Sequence, residues 1–152
     1  MRLVLRSVRA GRTAWADEAC GAYLTRIGRY FPAEEVLDPA GTAEEEGARL
    51  LRRVGPRARL VVLDERGEAL SSEAFAQLLE RAAHEGATHL VYAIGGAWGH
   101  PPEVRARAWR TVSLSGMVLN HAVARVVLAE QVYRACTIRA GEPYHHAGDP
   151  VR

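Results

Sequence analysis

The sequence predicts an α/β protein with a mostly parallel sheet and helices on both of its faces. Two apolar runs, at residues 59–64 and 90–94, are continuous rather than alternating, as in strands buried on both faces. Segments with helical spacing separate the strand-like segments along the chain, which is the arrangement that connects parallel strands. With 152 residues, of which 48% are hydrophobic, the chain is expected to form a single domain over residues 1–152.

The N-terminal half is predicted to contain two strands and two helices. In order, these are a strand at residues 3–8, a helix at 13–30, a short strand at 35–37 and a helix from 42 to about 55. Pro32 stops the first helix, because proline cannot donate the backbone hydrogen bond that a helix requires. Thr42 is predicted to cap the second helix together with Glu45, which lies three residues later as in a capping box.

The C-terminal half continues the same alternation. In order, we expect a strand at residues 59–64, a helix from 71 or 72 to about 83, a strand at 90–94, a helix from 101 and a strand within 111–119. Gly67 is expected to turn the chain after the first of these strands. The helix that begins at two prolines is expected to carry Arg105, Arg107 and Arg110.

The helix predicted after Asn120 is apolar on most of its circumference. Such a helix must pack on more than one surface, and the sheet and a second subunit are the two candidates. Glu130 and Arg134 are spaced i,i+4 in the favourable order for an ion pair. The alternative, which the sequence leaves open, is that Arg134 or Arg125 contacts a phosphate.

Composition excludes several chemistries. All 20 cationic residues are arginines, so the chain has no Walker-A lysine, no Schiff-base lysine and no lysine general base. Arginine suits phosphate binding, although codon bias explains an all-arginine chain equally well. The net charge of +2 is too small to indicate a nucleic-acid-binding protein. Cys20 and Cys136 fit no metal spacing, and no disulfide is expected between them.

The sequence does not predict a membrane protein or an exported one. No apolar run is long enough to span a bilayer. Residues 1–6 carry charges within their apolar stretch and lack a small-residue cleavage site, so they resemble a strand rather than a signal peptide. We therefore expect a cytoplasmic protein.

Glycines lie near three expected strand ends, where ligands bind in open parallel sheets. These ends are Leu63 before Gly67, Ile94 before Gly95 and Gly96, and residues 114–119 around Gly116. Glycine lets a ligand approach the backbone, whose N–H and C=O groups then bind it. The alternative for Gly95 and Gly96 is a simple tight turn. The pattern is not G-x-G-x-x-G, which argues against an ordinary dinucleotide site.

The histidines divide into candidate pocket residues and candidate tail ligands. His100 follows the glycine loop, and His121 begins the buried helix. His145 and His146 with Asp149 form the only set that suggests a metal, but adjacent histidines in a terminal tail are usually solvated. We therefore expect no metal.

Five segments in combination resemble the bacterial ribosomal RNA large-subunit methyltransferase H family, which belongs to the SPOUT class of α/β-knot methyltransferases. They are residues 60–64, Ile94-Gly95-Gly96-x-x-Gly99, Ser113-Leu114-Ser115, residues 125–135 and Gly141-Glu142-Pro143-Tyr144-His145. The similarity covers essentially the whole chain. The resemblance implies a C-terminal trefoil knot, bound S-adenosylmethionine and a homodimer. It also implies methylation of N3 of a pseudouridine in helix 69 of 23S rRNA, on the assembled ribosome.

The same resemblance assigns a cofactor site and a catalytic site. The cofactor contacts that it implies are Leu63, Gly95, Leu114, Ser115, Gly116, Met117, Val118 and Leu119. The chain departs from the family at Val118 and Asn120, where threonine and proline are usual, and at Ala97-Trp98.

The expected reaction requires the acceptor N3–H to lose a proton, so a base must lie within reach. His145 is the best candidate, because imidazole titrates nearest neutral pH. Tyr144 is a candidate to stack on the base, and Arg125 and Arg134 are candidates to bind phosphates or the developing anion. Two alternatives remain: a knotted methyltransferase that acts on another RNA, and a non-catalytic ribosome-binding factor with the same fold.

Overall fold

The computed structural model describes residues 1–146, and its centre is a five-stranded parallel sheet. The strands are β1 (Arg2–Val8), β2 (Ala33–Asp38), β3 (Ala58–Ala69), β4 (His89–Ile94) and β5 (Arg110–Ser113). Their order across the sheet is β2-β1-β4-β3-β5, and every neighbouring pair is parallel. The predicted parallel sheet is confirmed, and β4 lies at its centre although it is fourth in sequence.

Helices cover both faces of the sheet, as predicted. They are α1 (Ala14–Ile27), α2 (Ala43–Arg53), α3 (Ser72–His84), α4 (Pro102–Arg107) and α5 (His121–Ala140). On one face, α5 packs against both α1 and α3, and on the other α2 contacts α4. None of the helices within residues 1–146 combines the length and apolar character needed to cross a bilayer.

The continuous apolar run of β3 explains the two-sided burial of the sheet. Side chains alternate between the faces of a strand. Val61 and Leu63 belong to the core beneath α1, α3 and α5, whereas Leu60 and Val62 belong to the core beneath α2 and α4. Both sets are buried, so this strand has no solvent-facing side along its first half.

Side-chain caps set where three helices begin. The predicted capping box of α2 is confirmed: Thr42 Oγ1 accepts from the Glu45 amide at 3.1 Å, and Glu45 Oε2 accepts from the Thr42 amide at 3.2 Å. Ser71 caps α3 and Asn120 caps α5, where Asn120 Oδ1 accepts from the Ala122 amide at 2.9 Å. Each cap satisfies an amide that the first helical turn leaves without a partner.

The structure corrects the prediction that Gly67 turns the chain. β3 continues to Ala69, and its pairing with β5 shifts register because Leu63 and Glu68 both pair with Val112. A Cβ at Gly67 would lie 2.6 Å from the backbone nitrogen of Val112. The glycine is therefore needed for a close approach between two strands rather than for a turn.

Two further boundaries differ from the prediction. α4 ends at Arg107, so Arg110 does not belong to this helix but begins β5. The last strand stops at Ser113, and residues 114–119 form a loop that leads directly into α5. This short strand leaves a long loop at the carboxyl edge of the sheet.

Both cysteines lie in the core between the sheet and its helices. Cys20 and Cys136 are free thiols, and each is almost completely buried. Burial raises the pKa of each thiol to about 12, so both remain protonated at neutral pH. A thiol without its thiolate form is a poor nucleophile, and these two cysteines are therefore structural.

A buried arginine connects three elements. Arg125 on α5 is only 3% exposed. It donates two hydrogen bonds to Glu35 on β2, at 2.9 and 2.8 Å, one to Asp17 on α1 at 2.7 Å and one to Thr13 at 2.9 Å. These carboxylates raise the pKa of Arg125 further above its already high value, chiefly through the Glu35 hydrogen bonds.

We expect Arg125→Ala to destabilise the fold strongly, because it leaves the mostly buried Glu35 carboxylate without its cation. Removal of one partner of a buried pair costs about 3 kcal/mol or more. The matched control is Arg139→Ala, since Arg139 pairs with Glu80 at the surface and its loss should cost no more than about 0.5 kcal/mol. Urea unfolding at one fixed protein concentration measures both values. Equal losses for the two variants would contradict a structural role for Arg125.

Candidate active site

A large cleft opens at the carboxyl edge of the sheet, where ligands bind in open parallel sheets. Its volume is about 1020 Å³. Residues at or after the ends of β1, β2, β4 and β5 line it, together with residues 63–66 from the middle of β3, Glu46 of α2, and His121 and Ala124 from the first turn of α5. A cleft of this size, built from the loops after parallel strands, is the usual form of a small-molecule site in an α/β fold.

Seven of the eight cofactor contacts implied by the family resemblance line this cleft. They are Leu63, Gly95, Leu114, Ser115, Met117, Val118 and Leu119. Gly116 lies between two of these residues in the same loop but is not itself part of the lining. Residues from β3 and from the loops after β4 and β5 therefore meet in one place.

The loop at residues 95–99 is both a tight turn and a wall of the cleft. The Gly99 amide donates to the Gly96 carbonyl at 3.0 Å, and Gly99 has a φ of +72°. A Cβ on Gly95 would lie 3.0 Å from the carbonyl carbon of Gly99. The two alternatives left open by the sequence are thus compatible: the glycines make the turn, and the turn brings backbone to the cleft.

Two serines fix the opposite loop, residues 114–119. Ser113 Oγ donates to the Ser115 carbonyl at 2.8 Å, and Ser115 Oγ accepts from the Met117 amide at 2.9 Å. The Asn120 cap then ends the loop. Met117 and Val118 are both exposed, so any contact from these residues deep in the cleft must come from their backbone.

The sequence-based assignment missed a polar cluster around Asp64, midway along β3. Asp64 Oδ1 accepts from the Arg66 amide at 2.9 Å, and Asp64 Oδ2 lies 3.3 Å from the Arg105 guanidinium. Arg66 in particular holds the pKa of the Asp64 carboxyl below its usual range. All three residues line the cleft. The sequence feature that could have indicated this cluster is the position of Asp64 at the end of a continuous apolar run.

His100 lies in the wall of the cleft, as the sequence indicated. It is buried, and its Nε2 lies 3.1 Å from the Ala93 carbonyl, to which it donates. Burial lowers the pKa of His100, so the imidazole is neutral at physiological pH. The same effect lowers the pKa of His121, whose Nε2 is buried and has no hydrogen-bond partner among the described residues.

The C-terminal candidates form a second group of contacts, here called the tail cluster: Glu73, Glu130, Arg134, Tyr144 and His145. Arg134 pairs with Glu130 at 2.8 Å, which confirms the i,i+4 ion pair. The Tyr144 hydroxyl donates to Glu130 at 3.0 Å, and the Tyr144 ring lies against the Arg134 guanidinium. Burial and the Glu130 carboxylate raise the pKa of Tyr144 to about 12.

Both ring nitrogens of His145 are occupied within the tail cluster. Nδ1 lies 3.1 Å from the Arg134 guanidinium, which can only donate. Nε2 lies 2.9 Å from Glu73 and therefore donates to this carboxylate. The contacts thus define a neutral tautomer with its proton on Nε2, and its lone pair is engaged by Arg134.

The structure does not bring the catalytic candidates to the cleft of the same chain. Arg134 follows His121 by 13 residues on α5, which is about 20 Å along a helix. None of Arg134, Tyr144 and His145 lines the cleft, and Arg125 is enclosed by Thr13, Asp17 and Glu35. The predicted site residues therefore occupy three locations in one chain.

Within residues 1–146, no three or more histidine, cysteine, aspartate or glutamate side chains are grouped so that they could hold a metal ion. Asp149, the third member of the set with His145 and His146, lies outside the described residues.

Comparison with known proteins identifies the family. Residues 1–145 match a family model described as "Predicted SPOUT methyltransferase". A curated relative from Trichlorobacter lovleyi, named ribosomal RNA large subunit methyltransferase H, is 44% identical, and the alignment covers 93% of this chain and 99% of the relative. Relatives with the same name from Geotalea daltonii and Anaeromyxobacter dehalogenans are 43% and 44% identical and are covered almost completely.

A more distant similarity is to a solved structure. The crystal structure of the SpoU methyltransferase AviRb from Streptomyces viridochromogenes is 19% identical, with a TM-score of 0.48. The match covers 93% of this chain but 61% of the solved one, so this chain spans less than two thirds of it. The family model and the full-length relatives together show that this chain belongs to the ribosomal RNA large subunit methyltransferase H family of SPOUT methyltransferases.

Proposed function

We propose that this methyltransferase transfers a methyl group from S-adenosylmethionine to N3 of a pseudouridine in helix 69 of 23S rRNA, on the assembled ribosome. The observation that carries the proposal is the strand-end cleft, whose lining contains seven of the eight residues that the family resemblance assigns to the cofactor. Ribosomes are cytoplasmic in bacteria, and we place the protein there.

The lining of the cleft fits the methyl donor. Leu63, Leu114 and Leu119 offer apolar surface for a nucleoside ring, while Ser115 and the backbone at Gly95 offer hydrogen-bonding groups. The volume of about 1020 Å³ is sufficient for a bent nucleoside with its amino-acid tail. S-adenosylmethionine supplies an electrophilic methyl group on a sulfonium.

The reaction forms a bond from N3 to the methyl carbon as the carbon–sulfur bond breaks, and the N3 proton leaves to a base. The walls of the cleft hold the reacting atoms in line, which supplies much of the rate. His145 is the proposed base. The Nδ1 atom of His145 accepts the N3 proton once its contact with Arg134 is exchanged for one with the substrate. Arg134 is then free to stabilise the negative charge that develops on the pseudouridine ring.

The active site is proposed to form between two copies of the chain, because the tail cluster is distant from its own cleft. α1 and α5 pack together, and each leaves a large apolar side chain exposed near its start. Trp15 is 56% exposed and Val123 is 38% exposed. A homodimer through this surface buries both side chains and brings the tail cluster of one protomer to the cleft of its partner.

The proposed reaction is tested on ribosomes from a strain that lacks the modification. The purified protein and S-adenosylmethionine should add one methyl group to the helix 69 fragment, as measured by mass mapping. Gly95→Val should abolish the transfer and the heat of cofactor binding, because its side chain presses on Gly99 at the cleft wall. Gly55→Ala is the matched control, since a Cβ there meets nothing within 4 Å. A methyl group elsewhere in the RNA would overturn the substrate assignment, and absent cofactor binding by the wild type would favour a non-catalytic factor.

The homodimer is tested by Val123→Asp, which places a charge in the proposed interface. We expect a folded monomer by sedimentation velocity at micromolar concentration, with an unchanged circular dichroism spectrum, because an unpaired charge is costly to bury. Ala106→Asp is the control, since Ala106 is exposed on α4 at the other face of the sheet. A wild-type protein that sediments as a monomer would refute the dimer.

A mixing experiment tests whether the tail cluster serves the cleft of the partner. His145→Ala should lower turnover by roughly 10²-fold if it is the base, and Gly95→Val should be inactive. When equal amounts of the two variants exchange subunits, each mixed dimer contains one intact site. Activity should return to about a quarter of the wild-type value, as random pairing of two protomers predicts. If activity does not return, cleft and tail act within one chain.

A further inference from the structure

Three large apolar side chains stand exposed around the mouth of the cleft. Trp98 is 80% exposed, Met117 is 79% exposed and Val118 is 84% exposed. They come from the two loops that form opposite walls, residues 95–99 and 114–119. Single exposed apolar residues are common, but three around one opening indicate a surface that is covered in use.

We propose that Trp98 is a stacking platform for an unpaired base of the substrate RNA at the mouth of the cleft. The inference rests on the proposed function, in which an RNA base must enter this opening to meet the methyl group. The indole presents a flat face, and base–aromatic stacking is the common way in which proteins hold bases outside a helix. Trp98 would thus contribute to substrate binding and not to the chemical step.

The loop fixes the backbone that carries the indole. Trp98 occupies the turn between Gly96 and Gly99, which pair with each other across a short antiparallel bridge. The positive φ of Gly99 makes this turn accessible to glycine and costly for other residues. A side chain on a fixed turn loses little backbone freedom on binding, which favours its use as a platform.

Exposed arginines stand at the opening beside the indole. Of the charged residues that line the cleft in the described part of the chain, four are exposed: Arg9, Arg66, Arg105 and Glu65. The whole lining carries three arginines and three carboxylates, since Glu46 and Asp64 also belong to it and Asp64 pairs with Arg66 and Arg105. The two further carboxylates are less exposed than the arginines, so guanidinium groups predominate at the rim. Guanidinium groups bind phosphates in bidentate fashion, so aromatic and cationic groups here occur together as in single-strand binding sites.

Two other occupants of this surface make different predictions. If the indole covers the adenine of the methyl donor, its loss weakens cofactor binding. If the partner protomer covers it, its loss weakens the dimer. If an RNA base covers the indole, its loss weakens the affinity for the ribosome, while the affinity for the cofactor and the stability of the dimer stay constant.

The experiment compares Trp98→Ala and Trp98→Phe with the wild type. Three quantities are measured: the KM for ribosomes, the Kd for S-adenosylmethionine by calorimetry, and the sedimentation coefficient. Trp98→Ala should raise the ribosome KM by about 5-fold to 100-fold, the range expected for one lost stacking contact. Trp98→Phe keeps an aromatic face and should stay within a few-fold of the wild type.

Ala97→Ser is the control for disturbance of the loop, because it changes the exposed neighbour and keeps the indole. An unchanged ribosome KM for Trp98→Ala would overturn the proposal, as would a main effect on cofactor affinity or on the dimer. Failure of the proposed function gives a different result from failure of the Trp98 proposal, because the wild-type protein itself would then leave ribosomes unmethylated.

Discussion

The position of α5 depends on one buried ion-pair cluster. Arg125, in the first turns of the helix, is bound by Glu35 on β2 and by Asp17 on α1. A charge this deeply buried is tolerated only with its partners in place, so α5 cannot slide or rotate without a large penalty. The start of α5 supplies His121 to the cleft, and its second half supplies Arg134 to the tail cluster. The arginine that the sequence offered as a phosphate ligand thus holds in place the helix that connects the cleft with the tail cluster.

The charge states of Asp64 and His100 make both of them poor candidates for the proposed base. Asp64 is ionised, but Arg66 and Arg105 lower its pKa and so make it a weak proton acceptor. His100 is neutral, and its Nε2 hydrogen is used by the Ala93 carbonyl. Neither group is therefore favoured as a proton acceptor, which is consistent with the proposal that assigns proton transfer to His145.

Local patterns predicted most of the fold, and long-range contacts account for what they missed. The capping box of Thr42 could be predicted because its partner lies three residues away. The role of Gly67 could not, because it depends on the backbone of Val112 on another strand. The tail was expected to be solvated or near the pocket, yet His145 binds Glu73, 72 residues earlier. The loops that line the cleft were predictable because ligand sites in parallel sheets lie at strand ends, whereas their contact with the cofactor is implied only by the family resemblance.

Two arrangements would bring the tail cluster to a cleft. Either the tail of the same chain moves, or the tail cluster meets the cleft of a second chain. A moving tail must break the contacts of Tyr144 and His145 with Glu130, Arg134 and Glu73, and then cross about 20 Å, the length of 13 helical residues. A second chain must only bring its cleft to the tail cluster and replace one contact, that between Arg134 and His145. A second chain therefore disrupts fewer of the contacts in the tail cluster, which supports the proposal that the site forms between two copies.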